Sequence, residues 1–428
     1  QYPFMGILWA AFLLSSIPMI FNRFFIRLCR SVPQKYAENG TQAVPFITLP
    51  AMLFLFPTLA LLLASLSFAA RVDLSRNAKN NATSFKGEMQ YILNKYAAIS
   101  NRHHNRTGEH LNIVNMDHVN KQKRAIGKTS LRRDKAWSGT IQVGFPPQKA
   151  LVVFDTGSSD LVIDKSSYHP KLSLTSKKLN KKFDFSYASL HVYGDLYTDK
   201  VAIGGVKARD VPIGHGKEDF DGDSTGGTFG LSFAHSQNSG FEVDQKPFIW
   251  AAKKQHLIQS STYQFTLRPN GGASLNVGKV DLFELGGLIT WTDKNTDKTF
   301  WRISVELNGN KIHNAIADTG TNVIAGPNEE VKELLDKLDG ISVEQSDDGS
   351  YQGYYSCKNP PHLSFKVAGQ TFKFPEAAMN FGRDDDKCLL SIHGTPGMQD
   401  WILGSPFFEI ASVILNYDVG RMGFAKYK

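Results

Sequence analysis

The chain has 428 residues, 42% of them hydrophobic and 21% charged, which is length enough for two hydrophobic cores. Its formal net charge is +8, but the basic excess lies in the first 133 residues and the remainder is slightly acidic. The part beyond 133 therefore lacks the cationic surplus that neutralises phosphates, which argues against a nucleic-acid partner.

In chain order, residues 1–70 read as a hydrophobic leader. Within it, 51–70 is uncharged and ends in small residues. That pattern fits a secretory signal at about 52–69, starting at Met52 and cleaved near 69. Residues 1–51 then read as a gene-model extension. The alternative is membrane anchoring through the apolar runs 4–21 and 44–70. Residues 71–133 read as a basic propeptide. Asn-X-Thr sequons start at Asn39, Asn81 and Asn105, all before residue 134. The dibasic pairs Lys123-Arg124 and Arg132-Arg133 are candidate processing sites, which puts the mature terminus after Arg124 or Arg133.

From 134 onward, alternating apolar stretches between glycines predict strands, for example at 140–143, 151–154, 274–277 and 413–417. Helical periodicity is scarce. The best candidate is 328–338, with Val331, Leu334, Leu335 and Leu338 on one face.

The tripeptide Asp-Thr-Gly occurs twice. Asp155-Thr156-Gly157 follows the apolar run 151–154, and Asp318-Thr319-Gly320 follows 315–317. A hydroxyl residue comes next each time, Ser158 or Thr321. A single copy is weak evidence, because Asp before glycine is common in turns. Two copies in matched apolar flanks are strong evidence. Two carboxyl groups within about 3 Å of each other share one proton. One can then act as general base on a water while the other, protonated, donates to a peptide carbonyl. Such a pair titrates as a unit and suits work in acid. This chemistry needs no metal, no cofactor and no covalent intermediate. Glycine after Asp-Thr permits a tight turn and keeps side chains off the carboxylate. The Thr and Ser hydroxyls can tie the loops together and orient the carboxylates.

These motifs resemble the active-site loops of pepsin-like aspartic proteases, of the fungal type and in preproenzyme form. Residues 137–144, with Pro146-Pro147-Gln148, resemble the family's opening strand and turn. Gly227-Thr228-Phe229-Gly230-Leu231-Ser232 resembles its Gly-Leu turn, and Ile402-Leu403-Gly404, Phe407-Phe408 and residues 421–424 resemble its closing strands. The resemblance runs from Trp137 to Lys428. It implies an all-β, bilobal fold, with an active-site cleft between two β-barrel-like lobes at 134–278 and 279–428, each lobe giving one aspartate.

The same resemblance implies further expectations. A flap tyrosine is expected at Tyr187, with Tyr193 as rival. A Cys357–Cys388 disulfide implies an oxidising compartment. A propeptide Lys95-Tyr96 pair is expected, with the lysine set between the aspartates as an intramolecular inhibitor; the alternative is an exposed helical lysine. It also implies a monomer acting on protein or peptide substrates, secreted or vacuolar. Four positions depart from the family pattern. Leu190 and His191 stand where the flap tip is usually rich in glycine, Val162 where many relatives have tryptophan, and Asn322 where serine is more usual. These departures keep open a second class of function, a non-catalytic relative that binds peptides or inhibits proteases. A third reading is a membrane-anchored processing protease.

Overall fold

Strand alternation converts directly into pairing. In Ser138–Val143, Ile141 and Val143 are buried while Thr140 and Gln142 are exposed. This strand lies antiparallel to Gln148–Asp155, with Ser138 opposite Val153 and Val143 opposite Gln148. The computed structural model describes residues 70–75, 85–119, 136–187, 190–218, 225–233, 239–297, 299–384 and 386–428. The signal segment, Cys29, the sequons at Asn39 and Asn81 and both dibasic pairs lie outside the described residues.

The first sheet has seven strands. Its order is Ser138–Val143, Gln148–Asp155, Gly227–Gly230, Leu161–Ile163, Val206–Gly216, Leu190–Ile203 and Lys177–Tyr187. A second sheet of ten strands lies within 302–403, with Ile324–Pro327, Ile402–Leu403 and Asn310–Ala317 side by side at its middle. A third sheet of six strands joins Ala70–Asp73, Ser274–Val277, Thr262–Thr266, Ser412–Asn416, Arg421–Ala425 and Thr290–Trp291. It thus brings together strands from before 136, from 262–291 and from 412–425. The fold is all-β in its body and bilobal, with barrel-like sheets.

The expected helix at 328–338 forms as Asn328–Leu335, with Val331, Leu334 and Leu335 buried. The scarcity of helix does not extend to the region before 134, where Phe85–Thr107 is a helix of 23 residues. Met89, Ile92, Leu93, Tyr96, Ala97 and Ile99 form its buried stripe, the i, i+3, i+4, i+7 spacing of an amphipathic helix. The stripe packs on Phe300, Ile316, Val323, Ala325, Phe381 and Ile402 of the second-sheet region. Burying a large apolar side chain stabilises by about 1.5–3 kcal/mol, so this face supplies most of the helix's attachment. Cys357 and Cys388 are joined by a disulfide that closes a separation of 31 residues.

Candidate active site

Each aspartate sits at the end of a strand wedged between neighbours. Asp155 ends Gln148–Asp155, which runs parallel to Gly227–Gly230 with Asp155 opposite Gly230. Asp318 follows Asn310–Ala317, which runs parallel to Ile402–Leu403. The backbone then fixes both turns. Leu231 N–H donates to the Asp155 carbonyl at 2.8 Å, and Asp318 N–H donates to the Leu403 carbonyl at 3.0 Å.

The two loops brace each other nearly symmetrically. Thr156 N–H donates to Thr319 Oγ1 at 3.0 Å, and Thr319 N–H donates to Thr156 Oγ1 at 2.9 Å. The same hydroxyls donate onward, Thr156 Oγ1 to the Ala317 carbonyl at 2.8 Å and Thr319 Oγ1 to the Phe154 carbonyl at 2.6 Å. Both threonines are fully buried, so each lost bond would leave a polar atom without water to replace its partner.

The carboxylates are held in matching ways. Gly157 N–H donates to Asp155 Oδ1 and Gly320 N–H to Asp318 Oδ1, each at 2.9 Å. Ser158 Oγ donates to Asp155 Oδ2 at 2.7 Å, and Thr321 Oγ1 to Asp318 Oδ2 at 2.6 Å. A Cβ on Gly157 would lie 2.5 Å from the Asp318 carboxyl carbon. A Cβ on Gly320 would overlap the Asp155 carboxylate. Both glycines are therefore required by the closeness of the opposite carboxylate.

The helix Phe85–Thr107 places Lys95 and Tyr96 against this pair. Lys95 Nζ lies 2.8 Å from Asp155 Oδ1, and 3.0 and 2.8 Å from Asp318 Oδ1 and Oδ2. Tyr96 Oη donates to Asp318 Oδ2 at 2.9 Å. The Lys95, Asp155 and Asp318 side chains are at most 2% exposed. Burial pushes the Asp318 carboxyl above its ordinary range; the Lys95 charge opposes that shift and Asp155 adds to it. Burial works to lower the Lys95 pKa, but Asp155 and Asp318 overcome it and hold the ammonium charged. Burial, reinforced by Asp318 and Asp155, keeps the Tyr96 phenol protonated.

The backbone of Tyr187 pairs with Leu190 at the end of the hairpin formed by Lys177–Tyr187 and Leu190–Ile203. Its side chain lies outside the described residues. Tyr193 sits further down that hairpin, opposite Asp184, and its hydroxyl donates to Glu218 Oε1 at 3.1 Å. Val162 is buried with Phe183, Phe185, Val192, Leu196 and Phe241. Phe185 and Phe241 stack at 6.0 Å, and the Arg102 guanidinium lies 4.9 Å from the Phe185 ring. Packing near the hairpin's turn end is therefore aromatic and draws in Val162, Phe241 and Arg102 from segments distant in sequence. The sequence reading missed Phe241 and Arg102, which carry no motif of their own. It also missed Glu88, whose carboxylate accepts from Asn322.

Two strand-end aspartates, cross-braced by threonines, are centred on one small cationic group, an arrangement with the geometry for paired-carboxylate acid–base chemistry. The comparisons agree. The family profile "Eukaryotic aspartyl protease" matches residues 136–427. Secreted aspartyl protease 1 of Malassezia globosa is 33% identical over 358 residues, 81% of this chain and 89% of that protein. An aspartic protease of Phaffia rhodozyma is 32% identical over 335 residues, 71% of this chain and 80% of its own. A Malassezia globosa protein named probable inactive secreted aspartyl protease is 29% identical over 324 residues, 70% of this chain and 81% of its own. The chain belongs to the eukaryotic aspartyl protease family, and its activity is that of an aspartic endopeptidase acting on protein or peptide substrates.

The glycine contacts carry a test. Gly157→Ala should lower kcat/KM on a peptide substrate by about 100-fold or more, because either carboxylate must move to admit the methyl group. A parallel circular-dichroism melt separates this from unfolding.

Proposed function

We propose that the chain is a zymogen whose residues 71–133 inhibit an acid-active endopeptidase spanning 134–428, with lobes at 134–278 and 279–428. In this reading Asp155 and Asp318 activate one water for attack on the peptide carbonyl. Ser158 and Thr321 set the orientation of the carboxylates, Thr156 and Thr319 brace the loops, and Tyr187 closes the flap over substrate. The observation that carries it is the Lys95 ammonium, bonded to both carboxylates at 2.8 Å. The ammonium holds the position a water needs in order to touch both groups.

A buried ion pair roughly breaks even in stability. The apolar stripe of the helix therefore holds the prosegment down, and Lys95 decides that it blocks. Secretion, to the medium or to a vacuole, is supported by the relative named a secreted aspartyl protease and by the Cys357–Cys388 disulfide. The proposed state is a monomer.

The relative named probable inactive makes the binding-only reading the one to set against this. Both Asp-Thr-Gly motifs are whole here, which favours catalysis. The test is digestion of denatured haemoglobin by the full chain after acid treatment, with and without pepstatin. Cleavage that pepstatin abolishes supports the proposal. No cleavage from chains that have lost their first 133 residues supports the binding-only reading.

A further inference from the structure

The hairpin turn between Ser138–Val143 and Gln148–Asp155 meets the loop that follows Leu161–Ile163. Phe145 N–H donates to Ser173 Oγ at 3.1 Å, and Leu174 N–H donates to the Phe145 carbonyl at 2.7 Å. Gln148 closes the other side: its Nε2 donates to the His169 carbonyl at 3.1 Å, and its Oε1 accepts from His169 N–H at 2.7 Å. The buried Asp199 carboxylate accepts from Tyr168 Oη at 2.7 Å and from Thr175 Oγ1 at 2.5 Å. The two loops are therefore one braced unit. It nevertheless holds apolar side chains in water: Phe145 is 51% exposed, Leu172 66% and Leu174 81%. A single exposed leucine is ordinary, whereas adjoining large apolar side chains on a braced backbone mark a contact surface.

The charge around this tip has one sign. Residues 165–182 carry six lysines and no aspartate or glutamate, in a chain that is slightly acidic beyond 133. Lys177 and Lys178 face Asp210 and Asp195 at 3.0 and 3.5 Å. Lys171, next to Leu172, is exposed, and the Lys200 ammonium lies 5.9 Å from the Phe145 ring. The carboxylates of Asp164 and Asp199 are buried and bonded within the loops, so the charge exposed at the tip is cationic.

We propose that this tip docks the protein onto an anionic lipid surface. Phe145, Leu172 and Leu174 enter the boundary of the acyl chains, and Lys171 and Lys200 meet the headgroup phosphates. Lysine stems can lie along apolar surface while their ammonium groups stay in the polar layer. Apolar insertion and attraction to anionic lipid then add, as in other interfacial contacts. A soluble polyanion would engage the lysines and leave the leucines in water, so the apolar side chains favour lipid. The contact uses none of the residues around Asp155 and Asp318.

The test incubates the full chain with vesicles of phosphatidylcholine, alone or with about 30% phosphatidylserine, and measures the sedimented fraction. Leu172→Ser combined with Leu174→Ser should weaken partition onto the anionic vesicles by about tenfold or more. Lys171→Glu should weaken it by about fivefold or more on anionic vesicles and leave phosphatidylcholine unaffected. Leu174→Trp should be quenched by brominated lipid beyond the level of the unaltered chain, which reads the tip itself whatever else tethers the chain. A thermal melt of each variant separates these losses from unfolding. Equal binding by the unaltered and doubly substituted chains, with no added quenching of Leu174→Trp, would overturn the inference and leave at most a polyanion-binding surface. A dimer in solution that the double substitution dissolves would also overturn it, assigning the tip to a second copy of the chain.

Discussion

Asp318→Asn should abolish peptide cleavage, lowering kcat by about 10⁴-fold or more, with the fold intact. General acid–base catalysis by a positioned group is worth about 10²–10⁴-fold, and this pair works as a unit, so loss of one member removes nearly all of it. The substitution replaces an oxygen by a nitrogen of similar size, and the Thr156–Thr319 brace does not involve the changed atom. The amide cannot share a proton with Asp155 or act as base. Steady-state kinetics on one peptide, beside a thermal melt, checks both halves of the prediction. Retention of full activity would refute the roles given to the two aspartates.

The second large effect belongs to Lys95. Lys95→Met keeps the length of the side chain but removes the charge shared by Asp155 and Asp318. Two buried carboxylates would then lack a counter-ion, and breaking a buried pair costs about 3–5 kcal/mol. The full chain with Lys95→Met is expected to shed its prosegment at a pH about 1–2 units higher than the unaltered chain.

Burial raises the Asp318 pKa and the Lys95 charge opposes that rise, so the ammonium's contribution to docking requires Asp318 to be ionised. Docking is then favoured while Asp318 is ionised and lost as pH falls and it protonates. The Asp318 pKa stays above the ordinary carboxylate value even with Lys95 present, so release begins above that ordinary range. The Lys95 pKa is raised, so the ammonium remains charged throughout the acid and neutral range and does not set the window. Stepping the pH downward and following self-cleavage on gels reads the release point of both chains. An unchanged release point would mean that Lys95 does not control the block.

The geometry of the candidate site was legible because its determinants are local. Asp-Thr-Gly after an apolar run encodes the strand end, the tight turn and the carboxylate within a few residues, and doing so twice encodes the pair. The strands were legible from alternation, as in Ser138–Val143 and Ser274–Val277. The helix Phe85–Thr107 was less so, because the buried polar residues Asn94, Lys95 and Ser100 interrupt the apolar periodicity of its buried part.

What the sequence did not disclose depends on contacts between distant segments. Glu88 and Asn322 are 234 residues apart, and neither has a neighbour that marks it as a partner. The surroundings of Val162 are supplied by Phe183, Phe185 and Phe241, phenylalanines like any others in the sequence. A missing tryptophan is visible in one dimension, whereas the aromatic packing around that position appears only in three.

The central claim is that a water shared by two coupled carboxylates does the work. Its most direct test is the pH dependence of kcat/KM for the acid-matured chain on a single peptide. The account predicts a bell with both limbs on the acid side of neutrality. The lower limb would follow deprotonation of the first carboxyl, and the upper limb loss of the proton they share. A rate that climbs steadily to neutral pH, or a bell that Asp318→Asn leaves in place, would contradict it.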